Sequence, residues 1–105
     1  MCNEKDARRH ETLAELYLKE NNQNKAREHF LEAASIYVLQ AELQKKDILI
    51  NQANKNYKKS LHTQGIKNSS EFSKQELARR TLQELAQLQK KTNPEEVFAQ
   101  IKAIL

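Results

Sequence analysis

With 105 residues, 30% of them charged, and only one glycine and one proline, the chain has room for one small core and too few turn formers for a sheet protein. Its lone cysteine, Cys2, excludes an internal disulfide and a multi-cysteine metal site. The net charge of +4 is shared evenly between residues 1–65 and 66–105, which describes a solvated helical surface rather than the one-sided basic face of a nucleic-acid binder.

No apolar run approaches the roughly 18 residues of a membrane span. The opening Met1-Cys2-Asn3-Glu4 is polar and acidic where a secretory signal is basic and then apolar. These features predict an all-α, cytoplasmic protein.

Taken in order, residues 1–6 are a polar lead, and a first helix is predicted from about Ala7 to Glu20. His10, Leu13, Ala14, Tyr17 and Leu18 follow the i, i+3, i+4, i+7, i+8 series of one helical face, with Glu11, Glu15, Lys19 and Glu20 on the charged side. Asn21 to Asn24 interrupt the pattern, and Asn24 is the expected N-cap of a second helix. There Ala26, Phe30, Ala33, Ala34, Tyr37 and Ala41 supply small and aromatic residues at the spacing of a helix that packs closely on its neighbour. The second half of this helix is apolar over so wide an arc that one neighbour cannot cover it. Leu31 and Val38 therefore await a third element or a ligand.

Gln44 to Asp47 holds no glycine or proline. A break is nevertheless expected there, with Asp47 as cap, because an unbroken helix to His62 would extend about 60 Å and leave its apolar face unpartnered. The third helix, about Asp47 to His62, carries Ile50, Ala53, Tyr57 and Leu61 on its buried face. Residues 64–71, with Gly65 and the Asn68-Ser69-Ser70 run, form the clearest linker.

Ser73 and Glu76 then make a capping box, flanked by Phe72 and Leu77 as a hydrophobic staple, and Leu77, Ala78, Leu82, Leu85, Ala86 and Leu88 continue the stripe. Asn93-Pro94-Glu95-Glu96 opens a last helix with Val97, Phe98, Ile101, Ile104 and Leu105 on its apolar side. The predicted organisation is an antiparallel three-helix bundle over 1–63, a linker over 64–71, and a C-terminal helical hairpin over 72–105. The hairpin docks on the bundle or on a second copy, in the latter case making a homodimer.

The residues that carry chemistry are few. His10, His29 and His62 fall on three separate predicted helices, and neither a His-x-x-x-His nor a Glu-x-x-His pair occurs. There is no glycine-rich loop and no Gly-x-Ser-x-Gly. The sequence therefore predicts no enzyme, no catalytic residue, no cofactor and no metal ligand. Lys55, Lys58 and Lys59 surround Tyr57 as a phosphate-tracking stripe would, but spread around the exterior as solvated lysines do. Leu39 and Ile48 point away from the main stripes of their helices. A partner helix laid along helices 2 and 3 would meet Leu31, Val38 and Ile48.

The spacing His10, Leu13-Ala14, Tyr17, Ala26, Phe30 and Ala33 resembles one tetratricopeptide repeat. The positions 34 residues on hold Gln44, Asp47, Ile48, Asn51, Ser60, Gln64 and Lys67, so one repeat and no array is read. The unit from Ala7 to His62 resembles a microtubule-interacting and trafficking (MIT) domain. It shares the Ala26, Phe30, Ala33 spacing of that family's second helix and a tyrosine, Tyr57, in the third. The resemblance implies a binding module for helical or tail peptides of ESCRT-III-like proteins, in a family often attached to an AAA ATPase. The expected function is thus a non-catalytic protein–protein interaction module; a basic helical nucleic-acid binder and a self-associating structural subunit are the alternatives.

Overall fold

Asn3 starts the first helix. Its Oδ1 accepts from the Lys5 and Asp6 amides, and the Asp6 carboxylate accepts from the Asn3 amide at 3.0 Å, so the two side chains cap each other. In this computed structural model, which describes residues 3–67 and 70–89, that box moves the start of α1 (Glu4–Lys19) three residues ahead of the Ala7 expected from hydrophobic periodicity. The predicted last helix beyond Asn93, and Cys2, lie outside the described residues.

Four helices and no strand occur among the described residues: α1, α2 (Gln23–Gln44), α3 (Ile48–His62) and α4 (Lys74–Gln89). The turn after α1 is closed by Asn21 in the left-handed region at φ 60°. The Asn21 amide donates to the Leu18 carbonyl and the Asn22 amide to that of Tyr17, the paired bonds of a Schellman motif. Asn22, rather than Asn24, then caps α2 by accepting from the Lys25 amide at 3.2 Å.

Pairs of residues from Glu11 with Tyr37 to Ala14 with Ala26 show α1 and α2 running in opposite directions. The contact is built on small residues: Ala7, Ala14, Ala26, Ala33 and Ala34 are wholly buried. Because Glu11 faces α2, donated to by the Tyr37 hydroxyl, Leu13, about 160° from Glu11 around the helix, is turned outward. Leu13 and Leu18, both read as face residues, stand 40% and 36% exposed.

The break after α2 is present. Lys45 takes φ 56°, and the Lys46 amide reaches back to the Ala41 carbonyl. Asp47 precedes α3 without a side-chain cap bond. α2 packs against all three other helices, which is why its buried set spans Ala26, Phe30, Leu31, Ala33, Ala34, Ile36, Tyr37, Val38, Gln40 and Ala41. The main core joins Leu31, Ala34, Ile36, Tyr37, Val38 and Ala41 to Leu49, Ala53, Tyr57 and Leu61 of α3 and to Leu77, Ala78, Leu85 and Ala86 of α4, while Ala26 and Phe30 form a second cluster with Ala14 of α1.

Gly65, at φ 76°, ends the turn after α3, donating to the His62 carbonyl while Ile66 donates to that of Leu61. The return to α4 is pinned by Asn54, which is 3% exposed. Its Oδ1 accepts from the Phe72 amide at 2.8 Å and its Nδ2 donates to the Phe72 carbonyl at 3.0 Å. One turn on, Ser73 accepts from the Glu76 amide and Leu77 is fully buried.

Asn56, two residues from Asn54, is also buried, and its Nδ2 donates to the Gln52 carbonyl, but its Oδ1 has no hydrogen-bond partner among the described residues. The two asparagines therefore predict opposite outcomes. Asn54→Ala strands both polar groups of Phe72 and should cost about 2–3 kcal/mol in urea unfolding, whereas Asn56→Ala removes an unmet acceptor and should fall within about 1 kcal/mol of the wild type.

Candidate functional site

Two places on the molecule gather residues in a manner that packing alone does not require. The first is a groove of about 210 Å³ between α2 and α4, lined by Ser35, Ile36, Val38, Leu39, Ala78, Thr81 and Leu82. It is apolar because α2 carries aliphatic residues on a third side, where Ile36 and Val38 are buried and Leu39, like Leu82 of α4, is half-buried. Thr81, the polar member, turns its hydroxyl inward to the Leu77 carbonyl at 2.8 Å.

α4 is held in place by charge as well as by its leucines. The Glu84 carboxylate accepts from Arg27 of α2 at 2.9 Å and from the Tyr57 hydroxyl of α3 at 2.6 Å. At the other end, Lys74 pairs with Glu42 of α2. Arg80 stacks over the Phe72 ring, 4.4 Å from its centroid, and donates to Glu76 at 2.7 Å. Phe72 meets Tyr57 edge-on at 5.5 Å. Tyr57 is thus the point at which α2, α3 and α4 are tied, through one carboxylate.

Of the residues predicted to meet a partner, Leu31 is wholly buried in the core, Val38 lines the α2–α4 groove, and Ile48 stands 68% exposed on a different cleft beside Glu4, Arg8 and Tyr37. The structure does not bring Ile48 together with the other two. Leu39, singled out for pointing away from its stripe, is part of the groove, joined by Leu82 from α4. The lysine stripe is largely matched in charge: Lys58 pairs with Glu71, and Lys59 with Glu15 at 3.1 Å.

The second place lies between α1 and α2. His10 Nδ1 is 2.9 Å from His29 Nδ1 and 3.0 Å from Glu32 Oε2, and His29 Nδ1 is 4.0 Å from the same oxygen. The two imidazoles lie nearly parallel at 5.1 Å, and the Tyr17 ring stacks on the outer face of His29 at 5.4 Å. Burial holds the His29 ring below its ordinary pKa against the opposing pull of Glu32. The sequence search for His-x-x-x-His and Glu-x-x-His pairs missed this group, because its local half is the reverse order, His29-x-x-Glu32, and its third member comes from the other arm of the hairpin.

Compared with family models, with curated proteins and with solved structures, the chain gives no match.

The two core tyrosines give a pH signature. Burial and a hydrogen bond to Glu84 raise the Tyr57 pKa, and burial and a bond to Glu11 raise that of Tyr37, both above the ordinary value of 10.0. Above about pH 10 the unfolded chain sheds phenol protons that the folded chain keeps, so stability is full below that pH and falls as pH rises through it. Urea midpoints between pH 8 and 11 should decline, and Tyr37→Phe with Tyr57→Phe should flatten the decline while lowering the midpoint at pH 8.

Proposed function

We propose that the chain is a non-catalytic interaction module that takes the apolar face of a partner helix in the groove between α2 and α4. In this reading α1, α2 and α3 form an antiparallel three-helix bundle of the MIT kind, and α4 lies on it. The observation that carries the reading is the groove itself: among the described residues, Ile36, Val38 and Leu39 on one wall and Ala78 and Leu82 on the other line an apolar slot, with Leu39 and Leu82 partly exposed. An amphipathic helix presenting aliphatic side chains at i, i+3 and i+4 suits such a slot.

The resemblance to MIT domains supports a helical tail peptide of the ESCRT-III kind as the partner class. It favours protein over nucleic acid together with the charge pairing, because lysines already bridged to Glu71 and Glu15 have less to gain from phosphates. No helix among the described residues is long and apolar enough to cross a membrane.

Fluorescence anisotropy with labelled tail peptides tests the proposal. Binding should survive a rise from low to physiological salt and weaken by about tenfold or more in Leu39→Glu and in Leu82→Gln, since a central apolar contact carries about 1.4 kcal/mol or more. Peptide binding that both substitutions leave unchanged, or tight and steeply salt-dependent binding to random DNA with no peptide affinity, would overturn it.

A further inference from the structure

His10, His29 and Glu32 bring three potential ligand atoms together from two helices, all within 4.8 Å of one another. The two Nδ1 atoms face each other at 2.9 Å, so one of them carries the hydrogen and the other accepts it. Glu32 Oε2, 3.0 Å from His10 Nδ1, is an ion-pair neighbour of that ring when it is charged. Loss of the shared proton leaves lone pairs on all three atoms, within ligand distance of one another.

We propose that these three side chains bind a divalent first-row transition metal, with zinc as the representative ion, and that the metal staples α1 to α2. Ligands about 2.0–2.1 Å from a tetrahedral zinc lie about 3.3–3.4 Å from one another, so the 2.9 and 3.0 Å separations open by a few tenths of an ångström and the 4.0 Å gap closes as the two imidazoles and the Glu32 side chain rotate. Two imidazoles and one carboxylate suit zinc, cobalt, nickel or ferrous iron, whereas calcium and magnesium prefer sets built of oxygen.

Access and support are both present. His10 and Glu32 side chains each retain 24% of their surface and His29 17%, so an ion enters from solvent and keeps open positions for water. The Tyr17 ring, stacked within 5° of parallel on His29, fixes the plane of that imidazole. Each ligand lies on a helix rather than a loop, and both helices continue for at least one turn on either side. The i, i+3 relation of His29 and Glu32 places them on one face of α2, and the antiparallel run of α1 brings His10 across to them. The three ligands share no residue with the α2–α4 groove, whose Ile36 and Leu39 lie about two turns further along α2.

The test uses the full-length chain without a histidine tag. Zinc chloride titrated by calorimetry at pH 7.5 should bind one ion per chain and raise the melting temperature, and cobalt chloride should give visible absorption bands. Magnesium and calcium chloride should do neither. Glu32→Gln, which keeps the size and the helix, and His29→Ala should each lower zinc affinity by more than about tenfold, beyond the loss of an outer-shell partner, with circular dichroism confirming that each variant remains folded. His10→Gln serves if either variant unfolds. Absence of saturable zinc binding, or binding that survives all folded substitutions, overturns the site.

Discussion

The fold depends on α2 being buried around most of its circumference. A helix of 22 residues that is apolar on three sides cannot rest against a single partner, and each of the other helices takes one of those sides. Alanines set how closely α1 approaches. Aromatic and branched residues, Phe30, Tyr37, Leu31 and Val38, fill the volume that the alanines leave. The other helices then need only one apolar face each, which is why α1, α3 and α4 are visibly amphipathic and α2 is not.

Directionless burial does not by itself say where α4 lies, and polar groups supply that information. Asn54 grips both backbone groups of Phe72, and Glu84 accepts from two helices at once. A half-buried carboxylate is stabilised by partners on two helices, so Glu84 ties the position of α4 to Arg27 and Tyr57 together. The slot between α2 and α4 is a consequence: the helix is set by its polar anchors, and the aliphatic walls on either side of Leu39 and Leu82 do not quite meet.

Periodicity and capping chemistry made the helical class and the start of α4 legible in the chain, because each depends on residues close in sequence, whereas the break near Lys45 followed only from the length an unbroken helix would need, and Asp47 makes no cap bond there. Leu13 was misplaced since hydrophobicity alone does not reveal that Tyr37 turns α1 toward Glu11; Leu18, in phase with Glu11, is exposed in the last turn of the helix. Asn54 gave no signal: an asparagine inside a helix looks the same whether it meets water or the backbone 18 residues on. The histidine group was half legible. His29-x-x-Glu32 is a local spacing, but His10 joins it only once the register of the α1–α2 hairpin is known.

The central claim is that α2 is the axis on which the rest is assembled, and amide hydrogen exchange of the native protein measures it most directly. The account predicts that α2 amides from Phe30 to Ala41 exchange only through global unfolding and are the slowest in the molecule, with α1 and α4 opening at lower free energy. Exchange of the α2 amides faster than those of α3 or α4 would contradict it.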